Sequence, residues 1–377
     1  MKVVIAIDSL KGSLTSMEAG NAIKEGILRV SNANIIVKPL ADGGEGTVDT
    51  LIEGLGCKKI YVDVTGPLNQ RVTAYYGYQE KSNTAIIEMA SASGITLIKP
   101  DERNPMIATT YGVGEMIKHA AKNGCRHFIV AIGGSATNDG GIGMLQALGY
   151  EFFGIDNKAV GQGGQALEKI KSISDNNKLD LLKECSFKVA CDVTNPLCGI
   201  NGATYIYGPQ KGVTDDIKDS LDAGMKNYAK ITKSFNGTDY KNFPGAGAAG
   251  GLGFAFLSFL NAELELGIEL ILNAVQLEKD ILDADYVITG EGKLDYQTSM
   301  GKAPIGVAKL AKKHGVKVIA LTGSIGKDAS KCNEAGIDAY FSIINSIISL
   351  EYAMDKKIAI KNMTETAEQV FRLISSV

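Results

Sequence analysis

Carboxylates recur in this chain where short apolar runs stop. Asp8 opens Asp8-Ser-Leu-Lys-Gly-Ser-Leu-Thr15, and Asp42 and Glu45 lie in Pro39-Leu-Ala-Asp-Gly-Gly-Glu-Gly-Thr47. Asp192 follows the run Phe187–Ala190 in Ala190-Cys-Asp-Val-Thr-Asn-Pro-Leu197, and Glu291 and Asp295 follow Thr289 in Thr289-Gly-Glu-Gly-Lys-Leu-Asp295. One such cluster is an ordinary turn about as often as not; several from distant positions describe a shared chemistry. Lys11, the fixed cation of the first turn, is of a type that pairs with a transferred phosphate. Asp42 and Asp295 are of a type that holds Mg²⁺, which takes one or two carboxylates and keeps substrate phosphates and waters in its remaining positions. Asp192 is the first candidate for a general base and Asp42 the second, while Asp8, Ser9 and Glu291 stand where a substrate or phosphate would be gripped.

A further loop adds donors. Ala131-Ile-Gly-Gly-Ser-Ala-Thr-Asn-Asp-Gly-Gly-Ile-Gly-Met-Leu145 joins an apolar strand to an apolar helix through Gly, Ser, Thr, Asn and Asp. Gly133 and Gly134 let the backbone approach a ligand, Ser135, Thr137 and Asn138 supply side-chain donors, and the helix start behind them presents N–H groups and a positive dipole end. This predicts an anion site, for phosphate or for carboxylate. It is neither a Walker nor a protein-kinase loop. A second glycine-rich stretch, Pro244-Gly-Ala-Gly-Ala-Ala-Gly-Gly-Leu-Gly253, suits close helix packing as well as it suits a ligand. His119, His127 and His314 show no catalytic or metal-ligand pattern, and the six cysteines lack a paired spacing, so they are expected to be structural thiols.

The elements that must carry these residues alternate in period. The amino-terminal part reads β-α-β-α-β, with strands Val3–Ile7, Asn34–Val37 and Lys59–Val64, and the carboxy-terminal part resumes the pattern from Tyr286. Neither end makes a full domain. The economical solution is an α/β protein in which residues 1–65 and 284–377 build one discontinuous Rossmann-like or flavodoxin-like parallel-sheet domain, and residues 66–283 form a second, inserted α/β domain carrying the glycine-rich loops. Ligands of such sheets gather at the carboxyl ends of the strands, where the carboxylates stand.

Bulk properties narrow the class. The chain has 377 residues, 45% hydrophobic and 21% charged, with 39 basic against 42 acidic residues and a net charge of −3. That length suggests two domains and a cleft, and the charge balance recruits neither nucleic acid nor an anionic membrane. The opening segment is broken by Asp8 too early for a signal peptide, and no apolar run reaches membrane-spanning length. A cytoplasmic protein is expected.

In order along the chain, Asp8-Ser-Leu-Lys-Gly-Ser-Leu-Thr, Ala41-Asp-Gly-Gly-Glu-Gly-Thr, Gly133-Gly-Ser-Ala-Thr-Asn-Asp-Gly-Gly, Cys191-Asp-Val-Thr-Asn-Pro-Leu, Tyr207-Gly-Pro-Gln-Lys-Gly and Thr289-Gly-Glu-Gly-Lys-Leu-Asp resemble the bacterial glycerate kinase family, of the type that includes the glycerate 2-kinases. The resemblance spans essentially the whole chain. It departs at Leu10, where members often carry Phe. It implies ATP-dependent phosphorylation of D-glycerate, with 2-phosphoglycerate as the favoured product, Mg²⁺ as cofactor, and two α/β domains, one inserted in the other. ATP·Mg²⁺ and glycerate are then expected to meet in the interdomain cleft, with a homodimer left open as the assembly. Arg71 and Arg103 are the nearest arginines for the glycerate carboxylate, and the Ser135–Asn138 loop is the alternative. A dehydrogenase using NAD lacks its Gly-x-Gly-x-x-Gly after the first strand, and a non-catalytic sugar-acid-binding protein has no need of the acidic strand ends.

Overall fold

The computed structural model describes residues 1–41 and 46–376. Asp42 and Glu45 lie outside the described residues. The strands of the two main sheets are, in chain order, β1 (Lys2–Ile7), β2 (Asn34–Pro39), β3 (Lys58–Thr65), β4 (Arg71–Gln79), β5 (Thr84–Glu88), β6 (His127–Ala131), β7 (Ser186–Ala190), β8 (Glu263–Glu265), β9 (Tyr286–Thr289), β10 (Lys317–Thr322) and β11 (Ala339–Ser342). The chain divides into two compact units: Met1–Asp42, Asp49–Gly56 and Ile268–Val377 form the first, and Gly43–Val48 with Cys57–Gly267 form the second.

The first unit holds a five-stranded parallel sheet of order β11-β10-β9-β1-β2, assembled from both ends of the chain. Lys2-Val-Val-Ile-Ala-Ile7 is a strand because its β-branched run packs on both faces, as a parallel sheet covered by helices requires; Val3 to Ile7 are all buried. The helix Ser16–Leu28 then returns along the sheet. Its start is a capping box in which the Thr15 hydroxyl accepts from the Glu18 N–H (3.2 Å) while the Thr15 N–H donates to the Glu18 carboxylate (3.1 Å). Gly26 lets this helix lie directly on the final helix, Lys356–Ser375, where the Thr364 hydroxyl donates to the Ala22 carbonyl.

The second unit holds a six-stranded sheet of order β8-β7-β6-β5-β4-β3. Strands β5 to β8 run parallel, and β3, β4 and β5 form an antiparallel meander at one edge. Here the expected boundaries need correction at both junctions. Strand β3 does not join the first sheet: Gly66-Pro-Leu-Asn-Gln70 folds back on itself, Gly66 N–H donating to Gln70 O with Asn69 at φ +66°, and the resulting hairpin pairs Lys58 through Thr65 with Tyr78 through Arg71. A hairpin needs no crossover, whereas a third parallel strand would have needed one. At the other junction the helices Gly267–Ala274 and Leu277–Ile281 fall largely with the first unit, fastened to β2 by Lys38, which bonds the Val275 carbonyl and pairs with Asp280 at 3.0 Å.

The six cysteines are free thiols, and burial pushes Cys57 and Cys125 up to about 11, so neither is a ready thiolate. Among the described residues no helix is long and apolar enough to cross a membrane.

Candidate functional site

The order of the first sheet contains a reversal. From β1 the chain steps outward on one side to β2 and on the other side reaches β9, then β10 and β11, so the topological switch lies between β1 and β9. At that point two neighbouring strands send their following loops apart and leave a crevice. Asp8 follows β1 and Gly290-Glu291 follows β9, and the Asp8 N–H donates to the Gly290 carbonyl (3.0 Å). Position 290 takes glycine, at φ +157°, because a side chain there would strike the Leu321 carbonyl of β10 at 1.8 Å. Asp8 and Glu291 are both nearly buried; Asp8 accepts from the Ser9 N–H at 2.6 Å, and Glu291 accepts from the Thr298 hydroxyl at 2.5 Å and lies 3.9 Å from Lys302.

These residues border a cavity of about 460 Å³ at the carboxyl ends of β1, β9, β10 and β11. One side is charged, with Asp8, Lys11, Glu291, Lys293, Asp295 and Lys302, and the other is apolar, with Ile343, Ile344, Leu350 and Met354. The sequence-predicted Asp8, Ser9, Lys11, Glu291 and Asp295 thus come together. Asp295 is already engaged: one oxygen caps the helix Tyr296–Ser299 by accepting from the Gln297 N–H (2.9 Å), and the other lies 3.3 Å from Lys293. Burial pulls its carboxyl up, but the bonds from Lys293 and Gln297 outweigh this and leave it below the ordinary value.

A second cavity, of about 380 Å³, lies wholly within the other unit at the carboxyl ends of β6 and β7. Gly133, Gly134, Ser135 and Asp192 line it, as their positions in the sequence suggest. The Asp192 side chain is exposed and accepts from the Gly267 N–H at 2.8 Å, which ties the loop after β7 to the end of β8. The two expected arginines are elsewhere: Arg71 pairs with Glu115 at 3.7 Å and bonds the Asp63 carbonyl, and Arg103 bonds the Gln210 carbonyl.

The glycine loop differs from its sequence reading in one respect that changes its chemistry. The helix start behind it, Ile142–Ala147, already holds an anion, and the anion is Asp139. The Asp139 carboxylate accepts from the N–H groups of Gly141 (3.1 Å), Gly143 (3.3 Å) and Thr110 (2.8 Å) and from the Thr110 hydroxyl (2.8 Å). It is fully buried, and burial raises its pKa against those bonds. An external phosphate has no place there. Thr137 and Asn138 are likewise buried and do not border the cavity, and the Asn138 amide donates to the Thr204 hydroxyl instead. The second glycine stretch serves packing: Gly250, at φ +68°, lies against Thr137, whose carbonyl a side chain would meet at 2.0 Å, and its own carbonyl accepts from Gly140.

Sequence reasoning missed Lys211. It lines the second cavity, is only 2% exposed, and donates to the Ser135 hydroxyl at 2.6 Å and to the Thr137 carbonyl at 2.8 Å. Burial lowers its pKa from 10.5 to about 7, with Asp139 acting in the opposite direction. Its only sequence signal is its place between Pro209-Gln210 and Gly212, a short turn quoted above as one segment among six.

Comparison with known proteins decides the family. The profile of the glycerate kinase family matches residues 3–375. This chain belongs to the glycerate kinase family. Among its relatives, glycerate kinase of Bacillus subtilis (strain 168) is 46% identical over 371 residues, covering 98% of this chain and 97% of that one. Glycerate 2-kinase of Escherichia coli (strain K12) is 45% identical over 354 residues, covering 94% and 93%. A crystal structure from Salmonella typhimurium LT2, of a protein assigned as glycerate kinase 2, matches 100% of this chain and 98% of its own with a TM-score of 0.92 at 43% identity. The chain is therefore a phosphotransferase with an alcohol acceptor, on a mixed α/β fold shared with that structure.

Proposed function

We propose that this glycerate kinase family member transfers the γ-phosphoryl group of ATP to D-glycerate, forming 2-phosphoglycerate in the cytoplasm. The observation that carries the reading is the convergence of Asp8, Ser9, Lys11 and Glu291 at the switch point of a parallel sheet, in a chain of this family. Lys11 with the neighbouring Lys293 and Lys302 faces the nucleotide's phosphates, and the apolar wall of Leu350 and Met354 suits its base. The 2-phosphate assignment follows the name of the Escherichia coli relative, glycerate 2-kinase.

Mg²⁺ fits this donor set. Among the described residues no three His, Cys, Asp or Glu side chains converge as a metal cluster, and an ion carried on nucleotide phosphates needs only one or two carboxylates. Asp8 and Glu291 are of the right chemical type, as is Asp295 once its pairing with Lys293 is exchanged, and Asp42 completes the expected set from outside the described residues. Bound there, the ion would neutralise charge on the phosphates. The chain's own groups do the rest: Asp192 orients or deprotonates the glycerate hydroxyl, and Lys11 stabilises charge on the transferred group.

Purified protein incubated with D-glycerate, ATP and Mg²⁺ should release ADP only when all three are present. Phosphorus and proton NMR of the product should place the phosphate on the 2-hydroxyl. A product phosphorylated on the 3-hydroxyl would overturn the regiochemistry alone, and absence of ADP release with active controls would overturn the reaction.

A further inference from the structure

Lys211 has no part in the phosphoryl-transfer roles just assigned, yet it is the most deeply buried cation on either cavity. A buried ammonium costs several kcal/mol in lost hydration unless a charge is bound beside it, and such groups cluster at functional sites. Both hydrogen-bond acceptors of Lys211, Ser135 Oγ and the Thr137 carbonyl, are neutral, and they occupy two of its three N–H bonds. Asp139 attracts Lys211 electrostatically but accepts its hydrogen bonds from Thr110, Gly141 and Gly143. One N–H of the ammonium is therefore left for something that enters the cavity.

We propose that Lys211 and Ser135 form the receptor for the carboxylate of the acceptor substrate, so that the cavity of the second unit selects short hydroxy acids over neutral polyols. The inference rests on the kinase reading and assigns the acid end of its substrate. Charge number favours a carboxylate over the nucleotide's phosphates: one buried lysine matches a monoanion, whereas a triphosphate calls for the several cations around the first unit's cavity. Polarity agrees, because apolar walls of Ile95, Ile132 and Ala248 around one buried ammonium suit a small acid with one charged end. The exposed backbone of Gly133 and Gly134 beside Ser135 lets the acid reach the lysine without meeting a side chain. A lysine held near 7 is also responsive, since an incoming carboxylate restores its proton and tightens the pair.

The test compares wild type with Lys211→Met and Ser135→Ala in the full-length protein. Lys211→Met should raise the KM for D-glycerate by about ten- to a hundredfold, the size of a lost hydrogen bond to a charged group, while the KM for ATP stays within about twofold. Ser135→Ala, which keeps the lysine, should raise the glycerate KM by about two- to tenfold, as for a neutral bond. Glyceramide, the uncharged analogue, should bind wild type and Lys211→Met equally. An unchanged glycerate KM in Lys211→Met, or a rise confined to ATP, overturns the receptor. Should Lys211→Met not fold, an unchanged glycerate KM in Ser135→Ala overturns it alone. If wild type phosphorylates no glycerate, the kinase reading falls separately. Calorimetry then judges the receptor: D-glycerate binding lost in Lys211→Met supports it, and equal binding overturns it.

Discussion

The two cavities hold positive charge in opposite ways. Around the first, Lys11, Lys293 and Lys302 reach inward from exposed positions, with the side chains of Lys293 and Lys302 62% and 38% accessible. In the second, Lys211 is enclosed and only half-inclined to keep its proton at neutral pH. Exposed cations are individually weak and screened by salt, and they act by number, which suits a flexible polyanion that arrives and leaves. A buried cation acts alone and discriminates strongly, because any occupant that fails to match it leaves a charge or a donor unpaired.

That contrast can be broken most severely at the chemistry itself. Asp192→Asn should lower turnover by about 10²- to 10⁴-fold, since an amide still accepts from the Gly267 N–H but takes no proton. The Mg²⁺ concentration for half-activity should stay unchanged; rescue by excess Mg²⁺ would make Asp192 a metal ligand instead. Lys11→Ala should lower turnover by about 10²-fold, as for loss of one charge-stabilising donor, with little change in Tm, and a fully active variant would return Lys11 to the solvent. The two glycine-rich turns sharpen the comparison further. Gly250→Ala drives a methyl into the Thr137 carbonyl and should destabilise the protein by about 3 kcal/mol or more, whereas Gly292→Ala, whose nearest neighbour would be 3.7 Å away, should be tolerated; chemical denaturation of both variants reads this directly.

The smallest effect is a pH dependence. Between about 7 and 10.5 the unfolded chain holds a proton on Lys211 that the folded protein does not, so this group makes stability climb with pH. Its destabilising contribution is complete below about 7 and gone above 10.5, with a slope of at most about 1.4 kcal/mol per pH unit. Lys211→Met should be more stable than wild type at pH 7, and the gap should narrow by pH 9. A constant gap would mean that the folded protein keeps the Lys211 proton throughout this range.

Asp8, Lys11, Glu291 and Asp192 were legible in the sequence because a parallel sheet places its ligands where strands end, and strand ends show as apolar runs halted by polar residues. Other features depended on contacts between distant residues. Asp139 reads as one more polar loop residue until Thr110, 29 positions away, is seen closing over it. Lys211 reads as a surface lysine in a turn, and its partner Ser135 lies 76 positions off. Strand β3 was misplaced because its composition suits either sheet, and only the turn at Gly66–Gln70 chooses the antiparallel neighbour.

The split first sheet carries a consequence for synthesis. Strands β1 and β2 leave the ribosome early, but β9, which must pair with β1, begins only at Tyr286, after the whole of the second unit. At roughly 5–20 residues per second the flank of β1 waits on the order of tens of seconds for its partner. During that interval an apolar strand edge is open to solvent and to other nascent chains, while Cys57–Gly267 is already complete. Released chains truncated just before Tyr286 should therefore be cut by protease within residues 1–39 and be protected within the second unit; equal protection of both would show that β1 finds shelter before its permanent neighbour is made.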